Sequence, residues 1–426
     1  MRVAFYTLGC KVNQYDTQAM AARLAEQGHT IVGFDAWADA YVINSCTVTA
    51  ESDRKARQAI GRAKKHNPSA VVCVCGCYAQ RDPQAVLAID GVDVIAGTTA
   101  RQDLQSVLLA AEPGKKKNFV HAFQADEPFE EGCGALFERA RAHIKIQDGC
   151  DRYCTYCAIP QARGPIRSRA LPGVQAEAQL AAAHGHQEIV LTGIRLTSFG
   201  REAGLSLMDA VEAAAQTDIH RIRLGSLDPD EIDEAFIDRA ARCEKLCPHF
   251  HLSLQSGCDT VLRRMGRRYT TDAFAHTVDA LRAAMPEAAF TTDVMTGFVG
   301  ETEEEFAQTC AFVRRVGFSK LHVFPYSQRQ GTAAMRMPGH LPNGVKQERA
   351  RRLIEIGQEL EQAFLTSLIG TRQEVILEQG KDGWMEGHAR NYARLQVYAP
   401  DHLPGTCAWV RVEKRTRTGA QAVLLP

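Results

Sequence analysis

Residues 145–160 read KIQDGCDRYCTYCAIP, and their three cysteines, Cys150, Cys154 and Cys157, stand in the order C-x3-C-x2-C. A tight loop with three thiolates can hold a four-iron cluster by three of its irons, leaving the fourth open to a chelating ligand. Iron–sulfur clusters are ordinarily held by four cysteines, so three close ones with no fourth nearby define a centre with one open position. Three unrelated cysteines, or a zinc loop short of a ligand, are the bland alternatives. Zinc knuckles favour a C-x2-C pair followed by a second Cys or His pair, and no such pair follows Cys157. Tyr156, beside the last cysteine, adds to the signal.

Outward from this loop, strand and helix signals alternate from about residue 143 to 365. AHIKIQDGC, QEIVLTG, RIRLGSLDP, HFHLSLQSG, AFTTDVMTGF and KLHVFPYS read as strands, with helices such as GVQAEAQLAAAHG between them. Six β/α units predict a full or partial parallel barrel with its active loops at the carboxyl ends of the strands. Cys150, Gly193, Ser226, Gln255 and Phe298 fall there. Upstream, RVAFYTLGC, AYVINSC and AVVCVCGC read as buried strands alternating with helices, a doubly wound parallel α/β pattern. Each ends in a cysteine, Cys10, Cys46 or Cys77, and such sheets gather functional groups just past their strand ends. Downstream, short strand candidates separated by Gly, Asp and Pro predict a small antiparallel β-barrel. The expected domains are therefore 1–115, 136–367 and 370–426, with AAEPGKKKNFVHAFQADEPFEEGCG as a linker.

Composition narrows the class. A chain of 426 residues predicts two or three domains. No apolar run approaches the ~18–20 residues of a membrane span, and the N-terminus shows no signal-peptide pattern, so a cytoplasmic protein with no membrane partner is expected. In that reducing compartment fourteen cysteines point to metal or catalytic roles rather than disulfides. With 50 basic and 50 acidic residues, a nucleic acid would have to meet a local basic patch. The segment 138–170 holds seven basic against three acidic residues, and 371–426 holds eight against six.

The cysteine loop resembles that of the radical S-adenosylmethionine (SAM) superfamily. TLGCKVNQYDTQ, VINSCTVTAESDRKARQ and CGCYAQR resemble the N-terminal domain of the methylthiotransferases within it. KIQDGCDRYCTYCAIPQARGPIRSR, HLSLQSGCDTVLRRMGRRYT, TTDVMTGFVGETEEEF and HVFPYSQRQGT resemble their radical-SAM domain. The last segment resembles the RNA-binding TRAM domain. The resemblance implies two [4Fe-4S] clusters, one on Cys150, Cys154 and Cys157 and one on Cys10, Cys46 and Cys77, and SAM as both methyl donor and radical source. GCKVNQYDTQ most resembles the MtaB branch, which implies insertion of a methylthio group at carbon 2 of N6-threonylcarbamoyladenosine, at position 37 of tRNA. An aromatic C–H bond has no acidic proton for acid–base residues to use, and a radical opens it. Alternatives are isopentenyladenosine at the same position, a ribosomal-protein aspartate, or a non-catalytic metal-bound RNA-binding module. The implied partners are the tRNA anticodon loop, a flavodoxin- or ferredoxin-type electron donor and a sulfur donor. Arg195 and Val299 stand where the family commonly has Asn and Pro.

By the same resemblance, SAM contacts are expected at Tyr156, Gly193, Ser226, Gln255 and Asp293. Substrate contacts are expected at Arg163, Arg167 and Arg169, which follow the cysteine loop, and at Lys414 and Arg415. Phosphate would be met there by charge, with the base splayed out of its loop. Asn13 either hydrogen-bonds sulfide or substrate beside the first centre or caps the following helix. Cys73 and Cys75 share a strand face with Cys77, and either is an alternative ligand, with a buried core thiol as the plainer reading. Cys133, Cys243, Cys247, Cys258, Cys310 and Cys407 are expected to be inert, and His184 and His186 to lie in a solvated turn.

Overall fold

The computed structural model describes residues 1–99, 101, 103–124, 126–132 and 140–426. Cys133 lies outside the described residues. By packing, the chain divides into two units: residues 1–136, 145–169 and 327–335, and residues 137–144, 170–326 and 336–426.

The first unit is built on a six-stranded sheet. Its elements are β1 (Arg2–Thr7), α1 (Lys11–Glu26), β2 (Thr30–Val32), β3 (Ala40–Ser45), α2 (Ala50–His66), β4 (Val71–Gly76), α3 (Cys77–Arg81), α4 (Pro83–Leu87), β5 (Val94–Ile95), α5 (Leu104–Ala110) and β6 (Lys117–Asn118). The strand order is β2-β1-β3-β4-β5-β6, and the pairings are parallel. Alternate residues of β1, β3 and β4 feed two apolar layers. Ala4, Tyr41, Ile43, Val72 and Val74 meet Ala59, Ile60 and Ala63 of α2. Val3, Val42 and Val94 meet Met20 and Leu24 of α1 and Leu104 and Val107 of α5. The chain leaves β1 toward β2 on one side and toward β3 on the other, so strand order reverses between β1 and β3. Open α/β sheets bind ligands at that reversal, outside the carboxyl ends of the strands. Cys46 directly follows the end of β3, and Cys10 lies just past the end of β1, after Leu8 and Gly9.

The expected linker is partly bound to this unit. The Gln80 side-chain amide donates to the His121 carbonyl at 2.8 Å, and the Tyr15 hydroxyl donates to the Gly132 carbonyl at 2.5 Å. Strand β7 (Arg141–Lys145) leads back into the unit, which adds β8 (Gln147–Asp148), α6 (Ile159–Arg163) and β9 (Arg167–Ser168).

The second unit continues with α7 (Leu171–Ala183), β10 (Glu188–Thr192), α8 (Leu207–Ala215), β11 (Arg221–Leu224), β12 (Ser226–Leu227), α9 (Glu234–Arg242), β13 (His249–Leu252), α10 (Asp259–Met265), α11 (Thr271–Ala284), β14 (Ala289–Thr296), α12 (Glu303–Val316), β15 (Lys320–Pro325) and α13 (Asn343–Ser367). Two sheets, β11-β10-β7 and β12-β13-β14-β15, make an open, partial barrel. Local chemistry sets the helix ends: Thr302 and Glu305 form a capping box that starts α12, and Gly317 at φ 68° ends it.

After α13 come β16 (Arg372–Lys381), β17 (Trp384–Ala389), β18 (Arg394–Tyr398), β19 (Cys407–Arg415) and β20 (Ala420–Leu424), which close into a barrel in the order β16-β17-β18-β20-β19. The expectation of a wholly antiparallel barrel is corrected in one respect: β18 and β20 pair in parallel. A crossover through β19 separates these two strands, so they enter the sheet in the same sense.

A buried ion cluster ties this barrel to the sheet beneath it. Glu188 accepts from Arg221 Nε at 2.7 Å and from Arg223 Nε at 2.8 Å. The remaining guanidinium N–H groups donate to the His388, Ala389 and Arg390 carbonyls of the barrel at 2.9, 3.1 and 2.8 Å. Burial alone would raise the Glu188 pKa, but Arg223 and Arg221 hold it well below the usual carboxylate range. Removing one partner of such a cluster leaves buried charge unpaired, so Glu188→Ala is expected to destabilise the second unit by about 3–5 kcal/mol. A carboxyl with a depressed pKa contributes fully above its unfolded value of about 4.3, and the contribution fades as pH falls below it. Thermal unfolding should therefore separate wild type from variant widely at pH 7 and less at pH 3.

Candidate sulfur and radical centres

Two glycine-tight turns and the end of β3 bring Cys10, Cys46 and Cys77 to one edge of the first sheet. Gly9 lies at φ 102°, and a Cβ built on it would sit 2.8 Å from both Cys46 Cβ and Sγ. Gly76 lies at φ 86°, with a Cβ position 2.6 Å from the Ser45 carbonyl oxygen. Only glycine permits both the backbone sign and the approach. Cys10 occupies the N-cap position of α1, but its thiol makes no capping bond and stays exposed. Cys46 and Cys77 are buried. Charge on each would be felt by the others, since Cys10 and Cys46 both act to raise the Cys77 pKa.

Asn13 is a tie rather than a cap. Its Nδ2 donates to the Leu8 carbonyl at 2.7 Å and to the Ser45 carbonyl at 3.0 Å, the residues leading into Gly9 and Cys46. Its Oδ1 lies 3.9 Å from Cys77 Sγ. One amide thus fastens all three cysteine turns. Cys73 and Cys75 pack instead into the apolar layer under α1. Burial pushes the Cys75 thiol up to about 12 and Cys77 to about 11, the latter against the pull of Arg163. Both thiols are protonated in the absence of metal, and metal binding would have to displace the proton.

The second cysteine set lies in the loop between β8 and α6. The Cys157 amide donates to the Cys154 carbonyl at 2.9 Å, and the Cys150 amide donates to the Gly164 carbonyl at 3.1 Å. The Ile159 amide points at Cys157 Sγ at 3.4 Å, a contact suited to a thiolate. Tyr153 takes φ 46° and Tyr156 is half-buried beside Cys157. Residues 327–335 brace both sets within the unit. The Ala334 amide donates to the Thr155 carbonyl at 2.8 Å, and Arg329 donates to Asp53 at 2.7 Å and to Thr47, next to Cys46, at 3.1 Å.

Arg163, Arg167 and Arg169 depart from expectation. All three are buried, Arg163 with 0% exposure. Arg163 donates to Cys77 Sγ at 3.2 Å, to Asp16 at 2.9 Å and to Asp148 at 3.1 Å, and it also bonds Asn13 Oδ1. Arg167 donates to the Arg163 carbonyl at 2.9 Å, and Arg169 pairs with Glu131 at 2.9 Å. The Arg163 guanidinium, committed to the buried carboxylates of Asp16 and Asp148, cannot also meet a polyanion at the surface, whereas the Glu131 partner of Arg169 is itself exposed. Lys414 and Arg415, by contrast, are exposed on β19.

In the second unit, parallel register puts Ser226 beside His251 and His251 beside Thr291. Two residues on, Asp293 stands beside His322. This polar face opposes the one on which Phe250 and Phe290 stack at 6.0 Å, because side chains alternate along a strand. Asp293 lies 3.4 Å from His251 Nε2. Burial would raise its pKa, but the hydrogen bond and charge of His251, with His322, bring it below the ordinary value. Gln255 takes φ 66°, its amide donates to the Asp293 carbonyl at 2.9 Å, and its Oε1 has no hydrogen-bond partner among the described residues. Gly193 directly follows β10. Sequence reading missed His251 and His322, whose signal was only their alternation with apolar neighbours. Arg195 ion-pairs with Asp228 at 3.3 Å and with Glu231.

His220, Glu374 and Cys407 present ligand atoms within 4.8 Å of one another, although Cys407 was expected to be inert. Arg221 and Arg390 lie 3.8 and 3.6 Å from the same Glu374 carboxylate, so its charge is already balanced without a cation. On the barrel, Trp384, Trp409 and Tyr398 are exposed by 42, 50 and 56%, three aromatics the sequence reading passed over. No described helix is long and apolar enough to cross a membrane.

A parallel α/β sheet followed by a partial β/α barrel with a C-x3-C-x2-C loop defines a radical SAM enzyme. The Radical SAM superfamily matches residues 144–313, and the Uncharacterized protein family UPF0004 matches residues 2–97. The Bacillus subtilis threonylcarbamoyladenosine tRNA methylthiotransferase MtaB is 38% identical, covering 97% of this chain and 94% of that one. Its Aquifex aeolicus namesake is 39% identical, covering 85% and 90%. The tRNA-2-methylthio-N(6)-dimethylallyladenosine synthase of Novosphingobium aromaticivorans is 33% identical, covering 89% of each chain. Among solved structures, the radical SAM methyltransferase TsrM of Kitasatospora setae matches with a TM-score of 0.59 at 15% identity, over 78% of this chain and 77% of that one, a likeness of fold. The chain belongs to the MtaB-type radical SAM methylthiotransferase family.

Proposed function

We propose that the chain inserts sulfur and a methyl group at carbon 2 of N6-threonylcarbamoyladenosine, at position 37 of tRNA. The observation that carries this reading is the meeting of Cys10, Cys46 and Cys77 on turns fastened by Asn13, in a unit that also holds the loop of Cys150, Cys154 and Cys157. The residues fit two [4Fe-4S] clusters. Each set offers three thiols, and the first set borders an excess of buried positive charge. Arg101, Lys145, Arg163 and Arg167 stand against Asp16, Asp148 and Glu130, four cations to three carboxylates, which suits an anionic group beside them.

Bound there, the clusters and SAM supply the electron, the 5′-deoxyadenosyl radical, the sulfur and the methyl group. The chain's own side chains hold and orient. Tyr156 walls the loop of the second set. Ser226, Gln255 and Asp293, with His251, offer polar groups on the barrel's inner face to the ribose and amino acid portions of SAM, and Gly193 allows close backbone approach. Trp384, Tyr398 and Trp409 offer faces on which unpaired bases stack, while Lys414 and Arg415 meet phosphate. A flavodoxin- or ferredoxin-type reductant and a sulfur donor complete the reaction in the cytoplasm.

Mass spectrometry of tRNA nucleosides from a deletion strain tests the reading. The 2-methylthio form of threonylcarbamoyladenosine should disappear while its unthiolated precursor accumulates. Its persistence, with loss of the isopentenyladenosine counterpart or of a ribosomal-protein modification, would assign a different substrate.

A further inference from the structure

We propose that Arg163 is a positioning residue for the sulfur-carrying centre: its Nε–H bond to Cys77 Sγ fixes that ligand and sets the centre's reduction potential. The inference rests on the proposed role of Cys77 as a cluster ligand.

Arg163 is set up for this by its location. It closes α6, six residues after Cys157, and the next residue, Gly164, accepts the Cys150 amide. One helix end therefore belongs to the radical loop by its backbone and to the sulfur centre by its side chain. The guanidinium has few alternatives to its observed pose. Nε faces Cys77 Sγ at 3.2 Å, while the terminal nitrogens are taken by Asp16, Asp148 and Asn13. The carboxylates are in turn held by Lys145, at 2.8 Å from Asp16 and 3.4 Å from Asp148, and by Arg101. Arg101, Lys145 and Arg163 outweigh burial and hold the Asp16 carboxyl below the usual carboxylate range. Arg163 thus stays charged, aligned and buried.

An N–H donor and a fixed positive charge at a ligating sulfur favour the more negative, reduced state of the cluster. Arg163 and Cys77 are both buried, so solvent screens their interaction little. Asn13 lends support through the same atoms, since its Oδ1 faces both Arg163 and Cys77. The excess positive charge of the cluster of ions is the part of the site that a neutral protein core would not need.

The test uses full-length protein with Cys150, Cys154 and Cys157 replaced by Ala, reconstituted with iron and sulfide so that only the first centre is loaded. With guanidino-15N arginine incorporated, pulsed electron paramagnetic resonance of the reduced cluster should reveal a 15N coupling. Iron bound without such a coupling overturns the inference while leaving the sulfur centre standing. Failure to bind iron at all overturns the reading of the centre and the inference with it. Adding Arg163→Gln should shift the midpoint potential to more negative values, and Arg163→Lys should fall between it and the parent. Equal potentials in the three iron-loaded proteins overturn the tuning role. Should the Arg163 variants fail to fold, the 15N measurement on the parent still decides.

Discussion

Cys154→Ala is expected to abolish reductive cleavage of SAM, with 5′-deoxyadenosine formation falling more than about 100-fold, beyond the 10–100-fold that changes outside a metal's own ligands cost. Cys154 is buried in a loop held by backbone groups: the Cys157 amide on the Cys154 carbonyl and the Cys150 amide on the Gly164 carbonyl. Alanine keeps those bonds, so the loop persists and the thiolate alone is lost. Two thiolates remain where three were needed, and the protein should carry roughly four fewer irons, one [4Fe–4S] cluster. Iron analysis and chromatography of 5′-deoxyadenosine under strong reductant measure both. Cleavage at the wild-type rate would refute the assignment of this loop.

Cys46→Ala is expected to separate the two halves of the reaction. Methylthio product should fall by more than about 100-fold on the same reasoning, while SAM cleavage continues. Cys46 is buried against the Gly9 turn, and its neighbour Ser45 keeps its carbonyl bond from Asn13 in the variant. The turns therefore stay in place with one ligand missing, and iron should again drop by roughly four per chain. Product and 5′-deoxyadenosine measured in one reaction check this. Loss of both activities in equal proportion would mean that the six cysteines serve a single function.

The radical loop was legible because its information is local. Three cysteines within eight residues make a chelating loop wherever the chain folds. The strand-end cysteines were legible at one remove: the α/β alternation places them at a common sheet edge, and the reversal of strand order between β1 and β3 gives that edge its crevice. Choosing Cys77 over Cys75 needed the packing, since both lie on one strand face until α3 begins at Cys77 and turns its side chain out of the apolar layer.

The sequence alone determined the element pattern and the three-cysteine loop, since periodicity and short spacing are properties of neighbouring residues. The tertiary structure decided what the arginines do. In the chain Arg163, Arg167 and Arg169 look like a basic stripe placed to meet phosphate. Yet the partners of Arg163 include Asp16, 147 residues away, and Cys77, 86 residues away. A charge can be buried only where opposite charges and acceptors have already been gathered to meet it, and that gathering is a property of the fold.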